Sequence, residues 1–515
     1  MALLGINLAP QTEIGPDEMQ KGMDRLILEA AFSSATTALT SGVILTAFAL
    51  YLGASNMVVG LLASAPFLGQ LLQGPAILLV EKVRQRKKLS FIACTLARSM
   101  LLVMAAAVFL PRGVGLATVV AAQCLLCGIS AFSSCPWNAW LRDLTPDREL
   151  GDVVARRTVY ATVVSLGAGL IAAFTLDQPG KNSDFTQIVY CLLYLAGFIA
   201  SLFSSWLVGR IPEPAMPPAG PRISLRGLLA EPFRDPNFRH LIRFLVSWQF
   251  AANLATPFFT VYLLRQLNFD MTFVMGLSIA SQLANLLALR NWGTLSDLFA
   301  NKSVLAVAAP TYILCITMMI GASQIEDRTM LMAYLLVLHV LMGFAVAGVT
   351  LATSNIALRL SPRGGSTAYV ASAALASSFA AGTAPLLGGI FADFFAERRF
   401  QIMLRWVTPQ SDVLVSPLEL SSWDFYFLIA GIFGLYALHR LAFIREEGEI
   451  ERRDMIQQML HQTRRSVRSM STVAGFRGAT EFPVNMLREA RLRTLRRKAI
   501  VRRNKQQSRK PKTKR

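Results

Sequence analysis

Charged residues make up only 16% of this 515-residue chain, where an ordinary soluble domain carries about 25%. Histidine is scarcer still, at four residues. With little charge and 53% hydrophobic residues, the chain has more apolar surface than a water-soluble core can hide, so lipid must be part of its solvent. Cysteine is sparse, and all six (Cys94, Cys124, Cys127, Cys135, Cys191, Cys315) lie inside apolar runs. Cys124 and Cys127 have the spacing of metal or redox pairs. No second pair or nearby histidine completes a ligand set, so small buried hydrophobes account for them better. No metal and no cofactor are expected. A nucleotide-binding glycine loop and a nucleophile–base pair are missing too, which argues against an enzyme. The polar first 28 residues hold more acid than base and lack a basic n-region, so a cleavable signal is not expected.

What remains is long apolar runs. A spanning helix needs about 20 mostly apolar residues. The runs predict twelve spans, at 31–52, 57–80, 90–110, 114–140, 153–174, 187–209, 241–264, 272–290, 303–322, 330–355, 368–392 and 424–444. They are continuous rather than alternating, which excludes barrel strands. The reading is an all-α membrane protein.

Basic residues fall in alternate loops. Lys82, Arg84, Arg86, Lys87 and Lys88 follow the second span, Arg142, Arg148, Arg156 and Arg157 the fourth, and Arg210, Arg222, Arg226, Arg234 and Arg239 the sixth. The intervening loops hold far fewer. Positive loops stay in the cytoplasm, so both termini are expected there, in a cell inner membrane. The expected domains are an N-terminal segment 1–30, a six-helix half 31–209, a cytoplasmic linker 210–240, a second half 241–444 and a basic tail 445–515. Proline-rich Pro212–Pro221 cannot be helical and reads as solvated linker.

The halves repeat. Asn138-x-x-Leu141-Arg142 and Asn355-x-x-Leu358-Arg359 close the fourth and tenth spans 217 residues apart, and Glu81 and Asp297 stand 216 apart. Tyr51-Leu52 and Tyr262-Leu263 end the first and seventh. Parallel duplication of a six-helix unit marks one large transporter class.

With these features the chain resembles the major facilitator superfamily. The family's signature runs roughly Gly-x-x-x-Asp-Arg-x-Gly-Arg-Arg between spans two and three, with a weaker copy between eight and nine. Here the better copy is the second, Gly293 to Lys302 around Asp297. The first, with Glu81, Lys82, Arg86 and Lys87, departs from the pattern at Ile77 and Arg84. The segment Ser133–Arg148 is similar to a poorly characterised bacterial group of that superfamily. The resemblance implies a secondary transporter of a small molecule, working by alternating access. It also implies a cytoplasmic latch in which Glu81 and Asp297 pair with Arg142 and Arg359 while that side is closed. The alternative for these charges is a solvated, topology-setting role. The alternative for the whole chain is a non-transporting membrane scaffold or sensor that recruits partners through its tail.

Polar residues expected near mid-membrane are Gln70, Gln123, Gln249, Asn253, Gln282, Asn285 and His339. Such groups face the bundle interior, either as substrate contacts or as glue between helices. Coupling candidates are Glu29 and His339, the latter because imidazole titrates near neutrality. Arg98 is the deep cation, suited to an anionic substrate, a carboxylate such as Glu29, or snorkelling. Pro136 is expected to kink the fourth span.

The tail holds 21 of the 51 basic residues and 7 of the 31 acidic ones. Its apolar positions Leu487, Leu495 and Ile500 among arginines suit anionic lipid headgroups. A solvated tail is the other main reading, and nucleic acid is not an expected partner. The protein is expected to be a monomer.

Overall fold

The computed structural model describes residues 8–11, 14–145, 147–178, 183–216, 231–362, 366–408 and 411–446. The tail beyond 446, residues 217–230 of the linker and the side chain of Arg142 lie outside the described residues.

In chain order the elements are α1 (Pro16–Thr40), α2 (Val43–Tyr51), α3 (Asn56–Gln70), α4 (Gln73–Val83), α5 (Arg86–Ala107), α6 (Arg112–Leu144), α7 (Asp147–Leu176) and α8 (Ser183–Arg210). Then come α9 (Pro236–Val261), α10 (Met271–Leu298), α11 (Asn301–Met318), α12 (Arg328–Arg359), α13 (Ser366–Phe395) and α14 (Ser422–Leu441). The pairs α1–α2 and α3–α4 are each one interrupted crossing. Eleven crossings among the described residues are long and apolar enough for a bilayer. The seventh, α9, completes twelve, its apolarity lowered by Gln249, Asn253 and Pro257. Large apolar side chains such as Ile171 and Leu287 stay exposed on the helix surfaces, as lipid contact requires. This is a multi-pass membrane protein, and the face where span 1 begins and span 12 ends is called the termini face below.

The packing is duplicated. Span 1 packs on spans 5 and 6, span 3 on spans 4 and 6, and span 2 on span 4. Six spans later the same pairs recur: 7 with 11 and 12, 9 with 10 and 12, and 8 with 10. The main joins between the halves are span 2 with span 11 and span 5 with span 8. The first join is close because small residues meet: a Cβ added at Gly60 would lie 2.1 Å from the Pro385 carbonyl oxygen, an approach typical of membrane helices.

Several features go beyond the apolar runs. Helices extend into polar sequence at the termini face, α1 back to Pro16 and α10 on to Leu298. Span 1 breaks at Ser41–Gly42, where Gly42 has φ +58°, a conformation glycine adopts without steric cost. Span 7 ends in a π-type turn, Tyr262–Gln266. Helix α6 runs on through Pro136. Between spans 11 and 12, strands β1 (Arg399–Thr408) and β2 (Ser411–Ser421) pair antiparallel, with a bulge between Ile402 and Leu404. Among the described residues this hairpin is the one pair of strands added to the expected all-α fold.

Candidate functional site

The halves are bridged at the face opposite the termini. There Asp393, at the end of span 11, accepts from the backbone N–H of Asn56 (3.1 Å) and Met57 (2.9 Å), the first residues of span 2. Asp177, at the end of span 5, accepts from Met271 N–H (3.1 Å) and from Thr272 N–H, the start of span 8. Each carboxylate thus caps a helix of the other half, where orphan N–H groups and the helix dipole favour an anion. Arg265 adds a third bridge, donating to the Ala54 carbonyl at 2.8 Å. Going inward from that face, Ser378 of span 11 donates to Gln70 Oε1 of span 2 at 3.1 Å. The half of span 2 nearer the termini face, α4, packs instead on spans 4 and 3 of its own half.

Of the polar residues expected to line the space, Gln70 and Gln282 are exposed, and Gln249, Asn253 and Asn285 are half-buried. Asn253 Nδ2 donates to Gln249 Oε1 at 3.2 Å, one turn away on span 7. Gln123 and His339 are buried instead. Gln123 donates to Cys127 Sγ within its own helix. His339 Nδ1 sits 2.8 Å from the Leu335 carbonyl, also within its helix. Both are packing residues with local partners rather than openings onto the space. The broken span 1 supplies something not anticipated. Gly42 is exposed, nothing lies within 4 Å of where a side chain would begin, and no side chain caps the start of α2. Gly42 and Asn253 stand 211 apart, the interval that separates Tyr51 from Tyr262.

A second polar cluster sits inside the first half. Glu29 is buried, accepting from Ser204 Oγ at 3.0 Å and pairing with Arg157 Nη2 at 3.4 Å. Arg98 does not take Glu29. It donates to the Ser201 carbonyl (3.1 Å), Ser205 Oγ (3.0 Å) and Ser33 Oγ (3.3 Å). Adjacent Ser204 and Ser205 join the two into one network across spans 1, 3, 5 and 6.

At the termini face the charges lock each half to itself. Arg86 is buried, with Nη1 2.6 Å from Asp143 and Nε 3.6 Å from Glu213. Its backbone N–H donates to Glu213 Oε1 at 2.7 Å. Burial raises the Glu213 carboxyl above its ordinary value, against the N–H groups of Lys87 and Arg86, which lower it. In the second half Glu446 takes the same part at the start of span 9. It accepts from Lys302 N–H (2.8 Å) and Asn301 Nδ2 (2.8 Å) and pairs with Arg359 Nη1 at 3.5 Å. Arg86 and Lys302 are 216 apart, so the two locks are repeat copies.

Among the described residues no latch pair is formed, and the Arg142 side chain lies outside them. Arg359 goes to Glu446, and Asp297 is exposed. Glu81 is exposed beside Arg84 at 4.0 Å. Lys82 is exposed, Gly293 half-buried and Lys87 buried. The residues missed by sequence reasoning are Asp177, Asp393, Glu213 and Glu446. The 216-residue interval already linked the first two, and Glu213 looked solvated in its proline-rich stretch but is 1% exposed.

Twelve crossings duplicated as six and six, joined through spans 2–11 and 5–8, define a membrane carrier fold. The chain belongs to the Major Facilitator Superfamily, whose family model matches residues 27–338 and 280–503. No curated protein matches the sequence. Solved transporters share the fold at low identity. The D-xylose-proton symporter superposes with TM-score 0.62 at 14% identity, over 84% of this chain and 99% of that one. The nucleoside transporter NupG gives 0.60 at 11%, over 83% and 100%. A bacterial homolog of the human lysosomal transporter Spinster, solved inward-facing and unoccupied, gives 0.54 at 15%, over 84% and 100%.

Proposed function

We propose that the protein moves a small organic solute across the cell inner membrane by alternating access, with both termini cytoplasmic. The halves 31–209 and 241–444 rock about the central space, joined by the linker 210–240, while 1–30 and the tail 445–515 lie in the cytoplasm. The observation that carries this reading is one-sided closure. The hydrogen-bonded bridges between halves from Asp177, Asp393 and Arg265 gather at the face away from the termini, while the acidic locks at the termini face stay within each half. Such an arrangement is an inward-open state. The latch of Glu81 and Asp297 with Arg142 and Arg359 belongs to the opposite state, and the turn of Arg359 to Glu446 instead supports rocking. Substrate contacts are assigned to Gln70, Gln249, Asn253, Gln282 and Asn285 and to the backbone at Gly42, a largely neutral set suited to an uncharged or amphipathic solute. Broken helices in carriers present their ends to substrate in this way. The Glu29–Arg157 pair is the group best placed for proton coupling. The tail meets anionic lipid, and the carrier works as a monomer.

Spin labels on the loops after spans 2 and 8, in a variant lacking the six native cysteines, test the rocking. Two interconverting distance populations are expected, and a single fixed distance across substrates and pH would remove the mechanism. The scaffold reading draws on the first signature copy, where Ile77 and Arg84 replace glycines. It requires that fixed distance.

A further inference from the structure

One guanidinium in the Glu29 cluster is under-used. Arg157 lies four residues inside the apolar stretch of span 5 that begins at Val153. Its head does not turn out toward lipid. It lies over the Trp137 ring of span 4, 5.9 Å from the centroid, and beside Glu29 of span 1, as a charged group serving a bundle interior does. The ring beneath it is fixed in place. Trp137 stands edge-on to buried Trp140 at 5.2 Å, and Trp140 Nε1 donates to the Pro212 carbonyl at 2.9 Å.

Arg157 commits little of its bonding capacity. A guanidinium offers five donors, and a well-seated carboxylate takes two of them at about 2.8 Å. Glu29 takes one, through a single Nη2–Oε2 contact of 3.4 Å, and its other oxygen accepts from Ser204. Arg157 Nε is buried without a partner, and Nη1 has no acceptor among the described residues. Arg98, the other guanidinium of the network, donates to a carbonyl and two serine hydroxyls and to no acid. Among the described residues Glu29 is thus the one acid bonded to this pair of cations. The Arg157 side chain keeps 29% of its surface exposed against 6% for Glu29, so an incoming group meets the arginine first.

Resting on the carrier reading above, we infer that Arg157 and Trp137 form the docking point for an anionic solute, one carboxylate on an apolar aromatic body. The carboxylate takes the uncommitted donors of Arg157 in competition with Glu29, and the aromatic body rests against the Trp137 ring. Arginine suits this role because its planar fork matches a carboxylate, and tryptophan offers a flat apolar surface. The site narrows the solute class from uncharged or amphipathic to amphipathic with one negative charge. Spans 1, 4 and 5 build it, so the first half alone carries it.

The test uses the full chain in phosphatidylcholine nanodiscs, with the ligand-induced shift in thermal unfolding as the readout. The probes are 4-phenylbutyrate and its neutral amide, and each shift is measured from the variant's own unliganded value. Wild type is expected to bind the acid about tenfold tighter than the amide, the worth of one charge-assisted hydrogen bond. Arg157→Gln should lose that preference. Glu29→Gln should bind the acid about tenfold tighter than wild type, since the competing carboxylate is gone. Trp137→Leu should weaken both probes by a similar factor. Lys88→Gln, an exposed residue elsewhere, keeps the wild-type response. Where Arg157→Gln does not fold, Glu29→Gln/Arg157→Gln takes its place. A purely structural pair gives no gain in Glu29→Gln. That result, or equal binding of acid and amide by wild type, overturns the site. Binding is read without transport, so a single fixed spin-label distance would remove the rocking mechanism and leave this measurement standing.

Discussion

Asp177 and Asp393 stand 216 residues apart and make the same contact: each caps the first two backbone N–H groups of a helix in the opposite half. One closes span 5 on span 8, the other span 11 on span 2. The duplication of the chain thus produced a two-point clasp. Because the partners are main-chain groups, only the carboxylates are exposed to mutation.

Asp393→Asn is expected to weaken closure of that face by about 0.3–1 kcal/mol, the usual worth of an anion at a helix N-terminus. The open population should then grow roughly two- to fivefold. Asp177→Asn should do the same, and the double variant should add the two effects, since the sites lie on separate joins. Labelling of a cysteine placed just below the clasp reads the change. Equal labelling in wild type and double variant would exclude the clasp.

Gly60 and Gly389 set the closeness of spans 2 and 11. A Cβ at Gly389 would fall 2.6 Å from the Met57 backbone and one at Gly60 2.1 Å from the Pro385 oxygen. Valine at either position should hold the face open and abolish transport while leaving the folded halves intact. Gly276→Ala is the control, since nothing lies within 4 Å there. Its transport rate should match wild type.

Glu29 and Arg157 form a buried pair, and removing one partner strands the other. Arg157→Gln should destabilise by about 3 kcal/mol, as broken buried pairs do. Arg157 keeps some solvent contact, which trims that figure. Glu29→Gln/Arg157→Gln should unfold at a higher temperature than Arg157→Gln alone. A double-mutant cycle by thermal unfolding checks this, and a coupling energy near zero would refute the pair.

Glu213 gives a pH signature. Burial raises its carboxyl, so the folded chain holds that proton more tightly than the unfolded chain. The group's contribution is full below the ordinary carboxylate range and falls as pH rises through the elevated value. Glu213→Gln has no such proton to lose. Wild type should therefore lose stability relative to Glu213→Gln across that window, and parallel melting profiles would show the carboxyl is not perturbed.

His339→Gln should leave both transport and its pH profile unchanged, because the imidazole is buried against its own helix at Leu335. A shifted profile, measured in proteoliposomes, would return His339 to the coupling machinery.

The twelve crossings were legible in the sequence because lipid leaves few alternatives to a run of apolar residues. The helix ends were not, since span 10 continues to Arg359 and span 1 back to Pro16 in sequence polar enough to read as loop. The break at Ser41–Gly42 was hidden inside an unbroken apolar run, where one glycine is weak evidence. The hairpin after Arg399 pairs strands within a connecting segment, which spanning hydropathy does not report. At the candidate site, Gln70, Gln249 and Asn253 were found by depth alone. Gln123 and His339 met the same depth criterion but face inward on packing neighbours, a distinction of helix rotation that depth does not carry. Glu213 was misread because proline excludes helix but does not exclude burial.

The interruption at Gly42 carries a consequence for anyone mapping recognition by side-chain replacement. Amide hydrogens freed at the start of α2 belong to the chain itself, and no alanine scan removes them. A set of variants stripped of every polar side chain around the passage would still offer those donors to a solute oxygen, so tolerance to such changes would say little about whether that spot is used. Probing it calls for backbone ester chemistry or for a bulky residue at position 42.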